Sequence, residues 1–442
     1  MQERKQSSIS RLWETIRREL QWFRPGLGYK RWLILVFIGS TILGLGFAML
    51  ALDIYRNAPD TWWLPILSAL SLRSLDRPIR VIIFGVVGLI LMVLGIWGSN
   101  RSLLRPFVPP GTPLIEALDS YRRRDRGPRI VVLGGGHGLA SLLRGLKAYT
   151  HNITAIVTVA DDGGSSGELR RNVGILPPGD FRNCLAALSN NEDLLSQVFQ
   201  YRFAAGAGLE GHSLGNLFIT ALTEITGSFE EAVAESGRVL AVYGRVLPST
   251  LTDVQLLADL ETRDGKMLHV SGETQIRETE GSVKQVWLDP ANTPAFPPAI
   301  SAILSADLII IGPGSLYSSL LPNLLVRDLA EAVRSSQALK FFICNVATER
   351  GETDQFNCLD HVKAVEAHVG EGMFDLVICN NRFDGNLGEN VDWVRMNPDL
   401  VEHTSVYCTN LIDPDHPWRH DSVRLSKTIM DLFYERTGPL VE

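Results

Sequence analysis

The sequence is poor in the signatures that usually announce chemistry. It has only five cysteines, Cys184, Cys344, Cys358, Cys379 and Cys408, and no two of them form a C-x-x-C pair. Their spacing suggests neither a zinc site nor a disulfide framework, so reduced thiols facing the cytosol are expected. No H-E-x-x-H helix, P-loop lysine or nucleophile elbow is present, and no Ser/His/Asp triad can be assigned. Positive charge is not in excess either. The net charge of −7 argues against nucleic acid as a general partner.

Charge is missing altogether from two long runs, Trp32–Leu52 and Val81–Gly98. At about 1.5 Å per residue, each matches a hydrocarbon layer of roughly 30 Å. They predict two transmembrane helices, a hairpin over residues 32–98. Before it, residues 1–31 hold Ile9, Leu12, Trp13, Ile16, Leu20 and Phe23 at helical spacing, with Arg11, Arg17 and Arg18 largely off that face. This is the pattern of a basic amphipathic helix beside a membrane. After it, residues 99–128 read as a proline-rich juxtamembrane linker ending in the cluster Arg122, Arg123, Arg124 and Arg126. Basic residues flank the hairpin on both outer sides. The positive-inside rule therefore puts both termini in the cytoplasm, with a multi-pass protein in the cell membrane.

Residues 129–442 alternate strand-like and helical runs, which predicts an α/β fold. The expectation is a Rossmann-like, mostly parallel sheet with helices on both faces. Expected sheet strands are Ile130–Leu133, Ala155–Val159, Leu308–Ile311, Lys340–Asn345 and Leu376–Cys379. Short runs over Thr252–Asp289, broken at Asp264-Gly265 and Glu280-Gly281, predict a small antiparallel insertion.

Polar turns follow the expected strands. Gly134-Gly135-Gly136-His137-Gly138 allows backbone N–H groups to approach a phosphate at a helix start, or simply packs helix on strand. His137 reaches a phosphate or ribose, or is a surface turn residue. Asp161 and Asp162 end the second strand, where an acid grips a ribose in dinucleotide folds. Beside a diphosphate, the two carboxylates also suit Mg²⁺. The other reading is a helix cap. Gly163, Ser165 and Ser166 follow, as phosphate donors or caps. Asp180, Arg182 and Asn183 open another helix. Arg182 is a natural bidentate partner for phosphate or carboxylate, with a structural Asp180–Arg182 pair as the alternative. His212 and Asn216 begin a further helix as a site wall or plain cap. Gly312, Gly314 and Ser315 give a second anion-binding turn at the end of the most apolar strand. Asn345, Thr348 and the stretch Glu349–Thr353 could close the pocket.

Taken together, these five turns resemble the gluconeogenesis factor (YvcK-like) family, a branch of the CofD-like proteins. The carrying segments are Leu133–Gly138, Val159–Gly167, Leu176–Arg182, Gly211–Asn216 and Ile311–Ser315. The resemblance implies a Rossmann-like core binding UDP-activated sugars such as UDP-N-acetylglucosamine. It also implies a regulatory role in cell shape and growth on gluconeogenic carbon, with a cell-wall synthesis protein or other regulator as partner. The sister branch, the phospholactate transferases of coenzyme F420 synthesis, is Mg²⁺-dependent and has acids where this chain has Asp161 and Asp162. A 2-phospho-L-lactate transferase-like enzyme is therefore the alternative expectation. An NAD-dependent oxidoreductase is a weaker one, because Ser141 stands where the third fingerprint glycine would be. The usual compact family member lacks a membrane hairpin. A homo-oligomer remains open.

Overall fold

The computed structural model describes residues 36–38, 40–42, 44, 47–48, 75–104 and 124–438, apart from 191, 207, 263 and 389. The chain divides into two compact units, the second being Arg123–Val441.

In the first unit the main described element is one helix, Arg77–Leu104. It contains the second uncharged run. Its apolar side chains are exposed, Ile82 by 63%, Phe84 by 53% and Val93 by 57%. Several other side chains of this helix lie outside the described residues. Among the described ones, no helix is long and apolar enough to cross a membrane. The expected hairpin therefore has no support from the structure. The amphipathic segment 8–23, most of the first run and most of the linker also lie outside the described residues.

The second unit is built on seven parallel strands: β1 (Ile130–Gly134), β2 (Ile153–Val157), β3 (Arg245–Pro248), β7 (Leu308–Ile311), β8 (Leu339–Ile343), β9 (Leu376–Asn380) and β10 (Val406–Thr409). Their order is β10-β9-β8-β7-β1-β2-β3, with every pairing parallel. Val132, Leu133, Ile309, Ile310 and Ile311 are essentially inaccessible to solvent. That is why β1 and β7 read as unbroken apolar runs: both faces are covered. Helix Gly136–Leu146 covers part of one face with Leu139, Leu142, Leu143 and Leu146, at helical spacing.

The insertion is a separate antiparallel sheet of β4 (Gln255–Glu261), β5 (Met267–Ser271) and β6 (Ser282–Asp289), in the order β5-β4-β6. Leu256, Ala258 and Leu260 alternate inward from β4, the period-two signature of a strand with one dry face. A short helix, Glu273–Glu278, connects β5 to β6 on the far side of β4. The expected strands all form. β3 and β10 are additions: short edge strands, one ending in Pro248, the other only partly buried.

The sheet order turns back at β1. The chain runs outward through β2 and β3, then returns to lay β7 on the other side of β1. Open α/β sheets offer their ligand crevice at such a switch point, beyond the carboxyl ends of the strands.

Candidate functional site

The two glycine turns meet at the switch point. Gly136 has φ +65°, a conformation that L side chains rarely adopt. A Cβ on Gly138 would stand 2.8 Å from the Pro313 carbonyl oxygen, so glycine is what lets the turns touch. Asn345 ties the second turn down: its Nδ2 donates to Gly314 O at 3.0 Å and to Glu349 Oε1 at 3.3 Å. Ser315 also donates to Glu349. The helix start after β1 already has an anion. The Gly136 N–H donates to Asp180 Oδ2 at 2.7 Å.

At the end of β2 the adjacent acids diverge. Asp161 accepts from the Gly163 N–H at 2.9 Å and from Ser166, and it interacts with Asp180. Asp162 turns toward the insertion. Its Oδ1 accepts from the Thr274 N–H at 3.0 Å and the Thr274 hydroxyl at 2.8 Å, at the start of helix Glu273–Glu278. A Cβ on Gly272 would lie 2.0 Å from Asp162 Oδ2, so this contact too requires glycine.

Helix Gly164–Val173 begins at Gly163 without a side-chain cap, leaving first-turn N–H groups without intrahelical partners. Ser165, in that turn, lies 2.9 Å from His212 Nδ1 and accepts from Asn216 Nδ2 at 3.1 Å. His212 Nε2 lies 3.4 Å from Glu168 Oε2. The Ser165 hydroxyl and the His212 ring thus share one hydrogen bond, and the far side of the ring faces Glu168. The sequence spacing gave no sign of this Ser–His–Glu chain.

Arg182 is buried. Its guanidinium donates to Ser213 Oγ and, at 3.0 Å, to Asn183 Oδ1. Two buried polar atoms here have no partner, Arg182 Nε and Asn216 Oδ1. Orphaned groups of this kind each cost about 1–3 kcal/mol and call for an explanation. His137 is exposed, and partial desolvation together with Arg419 and Arg182 holds its pKa below the usual histidine value.

Acids outnumber cations around this crevice. Burial, then Asp161, pushes Asp180 up to about 6. Burial, then Asp161 and Glu352, pushes Glu273 up to about 9. Burial and Glu349 raise Glu352 to about 7. Burial likewise raises Asp161 and Glu349. Glu352 is held by the Tyr317 N–H at 3.2 Å and Ser318 Oγ at 2.8 Å, with Arg277 3.9 Å away. Glu273 and Arg277 were missed from sequence. They lie on the short insertion helix, and only the fold shows that this helix turns toward the crevice.

Buried carboxylates whose charge burial disfavours suit a divalent cation, and Mg²⁺ takes carboxylate, water and phosphate oxygens. The acids do not by themselves make a closed cage. Among the described residues, the one group of three candidate ligand atoms mutually within 4.8 Å is Cys344, Cys358 and Cys379. A Mg²⁺ ion held by Asp161 and Asp180 would need ligand oxygens and water to complete its shell.

Residues 130–410 match the family model described as 2-phospho-L-lactate transferase CofD. The gluconeogenesis factor of Bacillus subtilis (strain 168) is 52% identical over 254 residues, 58% of this chain and 79% of its own length. A relative from Nostoc sp. is 49% identical over 385 residues, 85% of this chain and 82% of its own, so the likeness runs beyond the segment matched by the family model. The crystal structure of a UPF0052 family protein from Bacillus halodurans gives a TM-score of 0.65 at 42% identity, covering 69% of this chain and 99% of that one.

Proposed function

The chain belongs to the gluconeogenesis factor branch of the CofD-like family, and from that premise we propose that it binds a UDP-sugar of the UDP-N-acetylglucosamine kind. The site is the crevice beyond β1, β2 and β7. The role is regulation of cell shape and cell-wall precursor supply, through a protein partner, rather than turnover. The observation that carries this reading is the pair of unpartnered buried atoms, Arg182 Nε and Asn216 Oδ1. One is a donor and the other an acceptor, as an oxygen-rich ligand with hydroxyl groups would require.

In this reading the uncapped helix start at Gly163–Ser166 and Arg182 take the diphosphate. Asn216, fixed through Ser165 and His212, takes a sugar hydroxyl. Asp161 faces the ribose or a cation, and Asp162 holds the insertion in place. Gly134, Gly135, Gly138, Gly312 and Gly314 keep the floor of the crevice flat. Mg²⁺, if bound, would neutralise the surplus acids beside the diphosphate.

The membrane tether is part of the proposal. It rests on the sequence alone, the uncharged runs Trp32–Leu52 and Val81–Gly98. The main domain would then face the cytoplasm.

The test is calorimetric titration of the purified full chain with UDP-N-acetylglucosamine, UDP-glucose, NAD and GDP, each with and without Mg²⁺. The expected result is binding near 1 μM, about −8 kcal/mol, selective for a UDP-sugar and weakened at least tenfold by Arg182→Ala. The surplus of buried acids favours one competing reading, a Mg²⁺-dependent phospholactate-type transferase. Binding of a guanine nucleotide only with Mg²⁺ would put that reading first.

A further inference from the structure

Four of the five cysteines gather at one place, far from one another in sequence. Cys379 and Cys408 are register partners on the parallel strands β9 and β10. The Cys344 N–H donates to Ile378 O at 3.0 Å, extending the β8–β9 ladder by one residue, so Cys344 sits beside Cys379. Three neighbouring strands thus form a row of thiols. Cys358 comes from the first position of helix Cys358–Val369, fixed by a capping box between Asn357 and Asp360. The sulfur atoms of Cys344, Cys358 and Cys379 lie within 4.8 Å of one another, and all three residues are inaccessible to solvent. Cys408, half-buried, stands opposite Cys379 on the neighbouring strand.

Cysteine packs well as a small apolar residue, and a single buried thiol would need no other account. Convergence of three from separate elements to ligand distance does. Metal–sulfur bonds of about 2.3 Å put tetrahedral sulfurs roughly 3.8 Å apart, inside the 4.8 Å within which these three sulfurs lie.

We propose that Cys344, Cys358 and Cys379 form a buried site for a thiophilic d¹⁰ cation of the zinc or copper(I) class, with Cys408 beside it as a fourth sulfur. Each ligating thiol gives its proton to solvent as its sulfur bonds the cation, and no electron is transferred. Soft thiolates select such ions over Mg²⁺. The site stands directly behind the ligand crevice. Cys344 precedes Asn345, which holds the Gly312–Ser315 turn through Gly314, and the Cys344 carbonyl lies 3.2 Å from His420 Nε2. Loading the thiols therefore stiffens the strand end that positions this turn.

The experiment uses the full chain, reduced and stripped of metal without oxygen, titrated with Cd²⁺ while thiolate-to-metal charge-transfer absorption is followed. Competition by Zn²⁺ and copper(I) then shows which ion holds the site more tightly. The expected result is a band saturating at one equivalent, lost in Cys344→Ser and Cys379→Ser and kept in Cys184→Ser, whose thiol lies elsewhere. A wild-type chain that gives no band at one equivalent overturns the proposal. So does a band that persists in the Cys344→Ser/Cys379→Ser double variant. Because wild type carries the primary result, poor folding of a variant does not rescue the proposal. A chain isolated without reductant that shows a Cys344–Cys379 disulfide instead of bound metal also overturns it.

Discussion

Phe342 and Arg182 are both buried, on opposite terms. Phe342, in the middle of β8, is surrounded by apolar atoms, with the Phe374 ring 4.8 Å away, and leaves nothing unsatisfied. Arg182, at the carboxyl edge of the sheet, has a nitrogen with no partner among acids that burial keeps partly protonated. The sheet interior is arranged for stability. The edge gives stability away, as ligand sites commonly do. Mutations in the two regions should therefore have opposite signatures.

The largest effect is expected inside. Phe342→Ala should cost about 3–5 kcal/mol of unfolding free energy through lost burial and the cavity left behind. UDP-sugar affinity per folded molecule should stay unchanged. Urea unfolding with parallel calorimetry measures both. A variant of wild-type stability with weakened binding would erase the distinction between interior and edge.

At the edge, Asp180→Asn should reverse that pattern. Asn can still accept the Gly136 N–H bond but removes a buried charge. The Asp180 pKa is raised to about 6 in the folded state, against about 3.9 for an unperturbed aspartate. Folding is therefore most favoured below about pH 4, and this stability is lost as the pH rises toward 6. The variant should match wild type near pH 4 and exceed it at pH 8 by on the order of 3 kcal/mol. Mg²⁺ should narrow the gap by stabilising wild type alone at pH 8. Equal stability of the two proteins at pH 8 would mean that this carboxylate is already compensated.

The same contrast explains what could be read from the sequence. β1 and β7 were legible because a strand covered on both faces must be apolar throughout, as Leu308–Ile311 is. The insertion was legible through its short runs and their breaks at Asp264-Gly265 and Glu280-Gly281. β3 and β10 were not, because a short edge strand has no such constraint. At the site, residue types at strand ends identified the neighbourhood but not the wiring. Gly136 was read as an anion site, and its anion is Asp180, 44 residues away. Glu273 and the thiol row depend on which elements the fold makes neighbours, and no local spacing encodes that.

The smallest expected effect separates Asp161 from Asp162. Adjacent in sequence, they face different tasks: Asp161 looks into the crevice, while Asp162 caps helix Glu273–Glu278 through Thr274. Loss of such a cap costs about 1 kcal/mol, and only the insertion should feel it. Asp162→Ala should therefore speed amide hydrogen exchange over residues 273–278 and lower global stability slightly. Its UDP-sugar affinity should stay within about twofold of wild type, a difference of about 0.4 kcal/mol. Asp161→Ala should leave exchange in that helix unchanged and weaken ligand or Mg²⁺ binding instead. If Asp162→Ala weakens binding as much as Asp161→Ala does, Asp162 acts on the ligand. The insertion then belongs to the site wall, held closed by the same carboxylate that touches the ligand.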